Sequence, residues 1–394
     1  MELWIDNTGL QSAALCLEGR ASPMHEYDAR GLLQLATQII YGEKISLNGF
    51  EDEKIANRSK EVVERLQSLY SNEKIININP IGVDEYALAC KTAADMVAPD
   101  LRYSFNPDEY KLLGGEPPDL PRGFKERLVS FVKLAIEPVN SEKLDKVLEE
   151  SLKDKAVGAI EFMLASSPSL REAIAKMVKE HKYWNDRHSY QLNIFLRYHL
   201  NDSLAEQSFA KYSPAVARAE LINRRSQFIL DALSKEMDEV VSDLRRGPLG
   251  IPSTFAALLQ RSKGEPEAIL KVALEFREYS KPLRNALENL SNEHWGDTDD
   301  SREEIQKEIW EMGHQLRRNF KERSTKLGDA IEFRFVLGIP TVFISGKELV
   351  RWVRERYKKR RIAVLTELVK ASAFSEFNTD LYKKFRKLSA RKSK

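Results

Sequence analysis

The stretch Leu3-Trp4-Ile5-Asp6-Asn7-Thr8-Gly9-Leu10 opens the chain with a short apolar run that ends in an aspartate. Three consecutive large apolar residues predict a buried β-strand, and the small polar residues behind the aspartate predict the loop that follows it. In sheets of parallel strands, ligands bind outside the carboxyl ends of the strands. The sequence therefore predicts a carboxylate, Asp6, at the ligand-binding edge of an α/β sheet.

Strands and helices alternate through the rest of the first hundred residues. Ala13 to Leu17 is a second candidate strand, and the segments 44–50 and 74–81 are two more, rich in isoleucine and leucine. The apolar spacing of amphipathic helices is found in residues 29–42, 52–70 and 83–97. Interleaved strands and helices of this length predict a small α/β domain with a mostly parallel sheet.

The remainder of the chain is predicted to be almost wholly helical. Seven glycines and prolines between residues 98 and 121 break the periodicity and indicate a loop or an insertion. The helical period then recurs in about 123–137, 142–165, 168–181, 189–211, 215–246, 265–291 and 301–325. Residues 331–346, rich in β-branched and aromatic side chains, are interpreted as a short β-segment or a buried connection. We therefore divide the chain into an α/β domain, residues 1–165, and a helical domain, residues 166–394.

The opening strand resembles the first strand of PIN-like nuclease domains, in which an apolar run ends in an aspartate followed by small polar residues and an aliphatic residue. Asp6 matches the first metal-binding aspartate of that family, with Asn7 and Thr8 in reversed order. The resemblance implies a small α/β sandwich whose acids hold one or two Mg²⁺ or Mn²⁺ ions for phosphodiester hydrolysis. Hard oxygen ligands suit these ions, and a pair of ions can stabilise both the attacking and the leaving oxygen.

Three further acids are candidates for the same site. Glu51 follows the strand 44–50 and opens a helix, with the two acids directly after it as close competitors. Asp84 follows the strand 74–81 at the start of the next helix, and Asp154 resembles the family's aspartate before a helix rich in small residues. The resemblance thus implies that metal binding and catalysis are carried by Asp6, Glu51, Asp84 and Asp154.

Each of these acids also has a purely structural interpretation. An acid at a helix start commonly caps the helix, a contribution of about 1 kcal/mol that needs no metal. The later strand with Thr and Asp that many PIN-like domains carry is not recognisable in this sequence. The alternative to a nuclease is therefore a non-catalytic subunit, in which a degenerate α/β domain and the helices join a larger nucleic-acid-associated or defence complex.

Other chemistries are less well supported by the sequence. An arginine and a histidine on one helical face can stabilise a phosphate and move a proton, but Arg197 and His199 are expected to pack between helices. The two cysteines, Cys16 and Cys90, lie far apart in apolar surroundings, which disfavours a disulfide framework or a zinc site. The sequence has no phosphate-binding glycine loop, no serine-hydrolase elbow and no HExxH motif.

Charge is distributed unevenly along the chain. The formal net charge is +2, yet residues 351–394 alone carry +11, which leaves residues 1–350 at −9. A helix with so many bases faces water, an acidic neighbour or phosphate. We predict that nucleic acid, RNA or DNA, is bound by Arg351, Arg354, Lys358, Lys359, Arg360 and Arg361. The alternative is that this end pairs with the acidic body of the same chain or of a second copy.

The sequence predicts a cytoplasmic protein that has no membrane partner. No stretch of about 18 apolar residues occurs, and residues 1–10 lack a basic segment followed by an apolar core. Chains with a PIN-like front and a long helical body resemble prokaryotic toxins or anti-phage defence effectors. That resemblance implies that this chain acts as a toxin or as an anti-phage defence effector.

Overall fold

The computed structural model describes residues 2–5, 7–18, 26–48, 53–68, 75–99, 122–153, 158–214 and 265–282, and the single positions 101, 258, 261, 262, 284, 285 and 311. The strands in these ranges are β1 (Glu2–Ile5), β2 (Lys44–Asn48), β3 (Ile76–Asn79) and β4 (Lys211–Ser213). The helices are α1 (Asn7–Leu17), α2 (Glu26–Tyr41), α3 (Glu53–Gln67), α4 (Val83–Val97), α5 (Arg122–Ile136), α6 (Ser141–Lys153), α7 (Gly158–Ser166), α8 (Pro168–Glu180), α9 (Asp186–Gln207) and α10 (Pro266–Tyr279).

The four strands form one sheet in the order β3-β2-β1-β4, and every neighbouring pair is parallel. β1 lies inside the sheet, where Ile5 pairs with Leu47 of β2 on one side and with Ser213 of β4 on the other. The predicted small parallel sheet at the start of a mostly helical chain is therefore confirmed.

Helices cover both faces of the sheet, as burial of a parallel sheet requires. On one face, Trp4 and its neighbour Tyr212 join a core with the helices α4 to α9. Leu3 and Ile5 alternate with Trp4 and face the other layer, which contains α2. There the chain after α2 packs directly on the strand, because a Cβ atom at Gly42 would lie 2.8 Å from Cδ1 of Leu3.

The loop predicted after Asp6 and the second predicted strand are both wrong, because helix α1 begins at Asn7 and contains residues 13–17. The buried apolar side chains described in this helix are Leu10, Ala13, Ala14 and Leu17, together with Cys16. The first four follow the spacing i, i+3, i+4, i+7, which is the period of a helix and not of a strand. The run from residue 13 is apolar enough to resemble a strand, but Leu10, one turn earlier, completes the helical spacing.

The segment predicted as one helix over 142–165 contains two helices, α6 and α7. They pack against each other so closely that a Cβ atom at Gly158 would overlap the backbone of Ser151. The helical pattern of the sequence is continuous across residues 142–165 and therefore gives no sign of two separate helices. The domain boundary predicted after residue 165 falls inside α7, which shares a core with α4 and α9.

The fourth strand was not predicted. The helix expected over 189–211 is α9, which ends at Gln207, and β4 follows at Lys211–Ser213 and completes the sheet. The sheet therefore contains a segment that we had assigned to the helical domain. Most of the predicted insertion lies outside the described residues. The predicted β-segment 331–346 and the basic end lie wholly outside them.

Candidate active site

The order of the strands defines where a ligand would bind. The chain moves from β1 to β2 to β3 in one direction and then returns to place β4 on the other side of β1. The reversal creates a topological switch point between the carboxyl ends of β1 and β4, and open α/β sheets bind their ligands at such points. The residue that follows β1 in the sequence is Asp6, and β4 ends at Ser213.

A hydrogen bond between two helices fixes the side chain beside Asp6 in the sequence. Asn7, the first residue of α1, is buried, and its Oδ1 accepts a hydrogen bond of 3.2 Å from the hydroxyl of Ser59 in α3. A buried amide requires such partners, because an unpaired polar group is costly in the protein interior. The first turn of α1 is therefore anchored to α3 directly after the predicted metal ligand.

Two glutamines of α2 hold the end of β4. The Nε2 of Gln38 donates a hydrogen bond of 2.8 Å to the hydroxyl of Ser213, and the Nε2 of Gln34 donates to the carbonyl of Pro214. Gln34 and Gln38 are one helical turn apart, so they lie on the same face of α2. Since the hydroxyl of Ser213 accepts from Gln38, its own hydrogen remains for a second partner at the switch point.

The hydrogen-bonded pairs at this edge of the sheet have no signature in the local sequence. Gln38 and Ser213 are 175 positions apart and meet only through the folded sheet. Ser59 meets Asn7 in the same way, across 52 positions. A buried polar residue on the apolar face of a helix, such as Gln34 or Gln38 in α2, is the one hint that the sequence offers.

Of the four predicted metal ligands, Asp84 alone lies within the described residues. It is exposed in the first turn of α4, and the residue that closes this turn is its neighbour Glu85, whose Oε2 accepts a hydrogen bond of 3.0 Å from the amide of Gly82. The capping that we considered for Asp84 is thus performed by Glu85. Asp6, Glu51 and Asp154 lie outside the described residues, as does every predicted nucleic-acid-binding residue of the basic end.

The described part of the chain contains no group of three or more His, Cys, Asp and Glu side chains that could hold a metal ion. Two oxygen-bearing side chains are described next to the ends of these strands in the sequence: the amide of Asn7, which begins the helix after β1, and the hydroxyl of Ser213, the last residue of β4. Amide and hydroxyl oxygens are compatible with a hard cation such as Mg²⁺. Completing a site of this kind requires carboxylates from residues such as Asp6.

Arg197 and His199 both contact residues of their own helix, α9. The Nε of Arg197 donates a hydrogen bond of 3.0 Å to the Oδ1 of Asn193 in the preceding turn. The ring of His199 lies between two aromatic rings, with centroids 4.7 Å from Phe195 and 5.3 Å from Tyr198. These contacts lie within α9, whereas we predicted packing between helices.

Cysteine chemistry at Cys90 is disfavoured by its surroundings. Burial raises the pKa of the Cys90 thiol to about 12, although the positive charge of Arg197 acts in the opposite direction. A thiol with such a pKa holds almost no thiolate at neutral pH, and the thiolate is the reactive form. Cys16 is buried as well and forms no disulfide, so neither cysteine is placed as a nucleophile.

No family model, curated protein or solved structure matches the chain. The functional interpretation therefore depends on the residues and their geometry. Within the described ranges, none of the helices combines the length and the apolar character that crossing a bilayer demands.

Proposed function

We propose that the chain is a metal-dependent nuclease that cleaves RNA or DNA at the carboxyl edge of its parallel sheet. The observation that supports this proposal most directly is the switch point between β1 and β4, because Asp6 follows β1 at that point. A carboxylate beside the ligand-binding crevice of an open α/β sheet has a position from which it can serve a bound substrate.

The proposed metal ligands are the four acids Asp6, Glu51, Asp84 and Asp154. A bound Mg²⁺ or Mn²⁺ would supply charge stabilisation and an activated water for phosphodiester hydrolysis. Of the four acids, Asp84 lies within the described residues and is exposed in the first turn of α4. We expect Asp6, which follows β1 in the sequence, to be the member whose loss is most damaging.

The surrounding residues of the chain would hold and orient this centre. Ser59 fixes Asn7 beside Asp6, and Gln38 fixes the hydroxyl of Ser213 on the neighbouring strand. Side chains held by a second layer of hydrogen bonds keep a ligand set in its productive geometry. In the same proposal, the basic end at residues 351–394 binds the nucleic-acid backbone, and the biological setting is that of a toxin or anti-phage defence effector.

The test is cleavage of labelled RNA and DNA by the wild-type chain and by Asp6→Asn, with Mn²⁺, with Mg²⁺ and with chelator. We expect cleavage that needs the metal and falls by at least about a hundredfold in Asp6→Asn. Asp95→Asn is the matched control, because Asp95 is an exposed aspartate in the last turn of α4. Asp84→Asn, in the first turn of the same helix, measures whether that turn belongs to the site.

Three results would refute the proposal of a metal-dependent nuclease with Asp6 as a ligand. Cleavage that persists in chelator, or that Asp6→Asn retains in full, would exclude a metal centre built on Asp6. Tight binding of nucleic acid by the wild-type chain with no cleavage under any metal would instead favour the non-catalytic interaction subunit.

A further inference from the structure

The last turn of α2 is held by a buried arginine from α10. Arg277 is 3% exposed, and its guanidinium donates to three backbone carbonyls: Ile39 at 2.9 Å, Glu43 at 2.7 Å, and Gly42. The final carbonyls of a helix have no partners within the helix and carry partial negative charge. Arg277 therefore supplies, from a helix more than 230 positions away, the donors and the positive charge that the end of α2 needs.

Two further residues after Arg277 extend this contact. The hydroxyl of Ser280 donates a hydrogen bond of 2.6 Å to the carbonyl of Ile40, and the guanidinium of Arg284 donates to the same carbonyl at 3.2 Å. Arg284, 4% exposed, also forms an ion pair of 2.9 Å with Glu43. The four carbonyls of residues 39, 40, 42 and 43 are thus all bonded to the α10 segment.

The turn that α10 holds is the turn that reaches the switch point. The backbone carbonyl of Gln38 accepts the amide of Gly42 at 2.8 Å, so Gln38 begins the last turn of α2. The side chain of the same residue donates to Ser213 at the end of β4. A continuous set of hydrogen bonds therefore runs from Arg277 and Arg284, through one helical turn, to the strand end beside β1.

We propose that Arg277, Ser280 and Arg284 are positioning residues for the candidate site, acting through Gln38 on Ser213. The site at the switch point is then completed by a segment that lies beyond residue 265, far from the N-terminal strands in sequence. As a statement about catalysis this rests on the proposed nuclease function, but the link between α10 and β4 can be measured without any activity.

A cap that only stabilises α2 would act differently from a positioning link. Loss of a simple cap lowers the stability of the fold but leaves Ser213 in place in the folded protein. Loss of a positioning contact frees the end of β4 while the protein remains folded. The two roles therefore predict different rates of local opening at β4. Amide hydrogen exchange measures that opening.

The test compares Arg284→Lys and Gln38→Met with Glu267→Gln in the full chain. Arg284→Lys keeps the charge but loses the planar fork that bonds several acceptors at once. Glu267→Gln is the matched control, because Glu267 joins α10 to Arg65 of α3 through an exposed ion pair and makes no contact with α2 among the described bonds. Each variant is studied well below its melting temperature.

We expect Arg284→Lys and Gln38→Met each to speed amide exchange in residues 211–213 by at least about tenfold, and Glu267→Gln to leave it unchanged. The double variant should exchange no faster than Gln38→Met alone, because both changes break one link. In the cleavage assay, both single variants should raise the Mn²⁺ concentration for half-maximal activity by about tenfold, the usual effect of losing a residue that orients a metal ligand.

Several outcomes would overturn the link. One is a lower melting temperature in Arg284→Lys with exchange at β4 equal to that of the Glu267→Gln control. Another is exchange in the double variant that equals the product of the two single effects. If Arg284→Lys does not fold, Ser280→Ala removes a single hydroxyl from the same contact and is judged by the same criteria. Absence of cleavage in the wild type would refute the nuclease proposal alone, since the exchange measurement would still decide the link.

Discussion

The amide of Ala210 donates a hydrogen bond of 2.9 Å to the carbonyl of Ala205, and this bond closes α9 in a Schellman motif. The residue inside the motif, Phe209, has φ 54°, in the left-handed region where glycine is usual. Its side chain is 95% exposed. The backbone thus bears the strain of a bulky left-handed residue, and the ring gains no burial that would offset it.

Replacement of this residue by glycine should stabilise the fold. A left-handed conformation costs a residue other than glycine roughly 1–2 kcal/mol, and the greater freedom of glycine in the unfolded chain cancels part of the gain. We expect Phe209→Gly to raise the free energy of unfolding by about 0.5–1 kcal/mol in urea denaturation. Phe209→Ala retains the Cβ atom and should show no such gain. A Phe209→Gly variant that is no more stable than wild type would contradict this account of the turn.

The contact between α6 and α7 predicts opposite responses from two glycines. A Cβ atom at Gly158 would overlap the backbone of Ser151, whereas one at Gly82 would meet only Oε2 of Glu85, at 3.7 Å. Because two backbones must move apart in Gly158→Ala, we expect it to lower the free energy of unfolding by about 1–3 kcal/mol. Gly82→Ala should remain within about 0.5 kcal/mol of wild type. Equal effects of the two substitutions in denaturant titrations would exclude close packing at Gly158.

Local sequence patterns were sufficient for the strands β1, β2 and β3 but not for the elements defined by distant contacts. Leu3-Trp4-Ile5 and the isoleucines of β3 are apolar enough to be recognised as buried strands. Lys211-Tyr212-Ser213 is too short and too polar to be recognised, and it is a strand because it pairs with Leu3–Ile5. Long-range pairing of this kind has no signature within a single segment.

The candidate site was predictable to a similar degree. The aspartate after the first strand follows from the pattern of an apolar run and from the rule that ligands bind at strand ends. Gln38 and Ser213 could not be linked, because each is an ordinary polar residue until the fold brings them together. Arg277 and Arg284 are equally inconspicuous in a chain in which 31% of residues are charged.

The ion pair between Glu43 and Arg284 makes stability depend on pH. Burial raises the pKa of Glu43, but the hydrogen bond and charge of Arg284, with the charge of Arg277, outweigh it and hold the pKa below its ordinary value. A carboxyl whose pKa is lower in the folded state stabilises the fold at neutral pH. That stabilisation is lost as the pH falls below about 4.3 and through the folded-state pKa.

We therefore expect Glu43→Gln to be less stable than wild type at pH 7 and to lose less stability on acidification to pH 3. The measurement is urea denaturation at both pH values. Glu61→Gln, at an exposed glutamate of α3, is the control and should follow the wild-type pH dependence. A Glu43→Gln variant with the full acid sensitivity of the wild type would show that the charge of Glu43 does not contribute.

The basic end provides the prediction that separates nucleic-acid binding from internal pairing. Reversal of the four consecutive bases Lys358, Lys359, Arg360 and Arg361 to glutamate removes contacts to phosphate if this end binds nucleic acid. Each lost phosphate contact lowers the slope of log affinity against log salt by about 0.9 on duplex DNA. We expect weaker binding of RNA and DNA and a flatter salt dependence, measured by fluorescence anisotropy over a range of salt concentrations.

The control for this reversal must change the total charge by the same amount. Four exposed lysines on described helices, Lys91, Lys143, Lys176 and Lys179, meet that need when they are reversed to glutamate. If the basic end contacts the phosphates, this control should lose affinity only because its total charge is more negative. It should keep the wild-type slope of log affinity against log salt. An equal loss of slope in both variants would mean that net charge and not the basic end governs binding. Unchanged nucleic-acid binding with altered stability or self-association would instead assign the end to pairing with the acidic body.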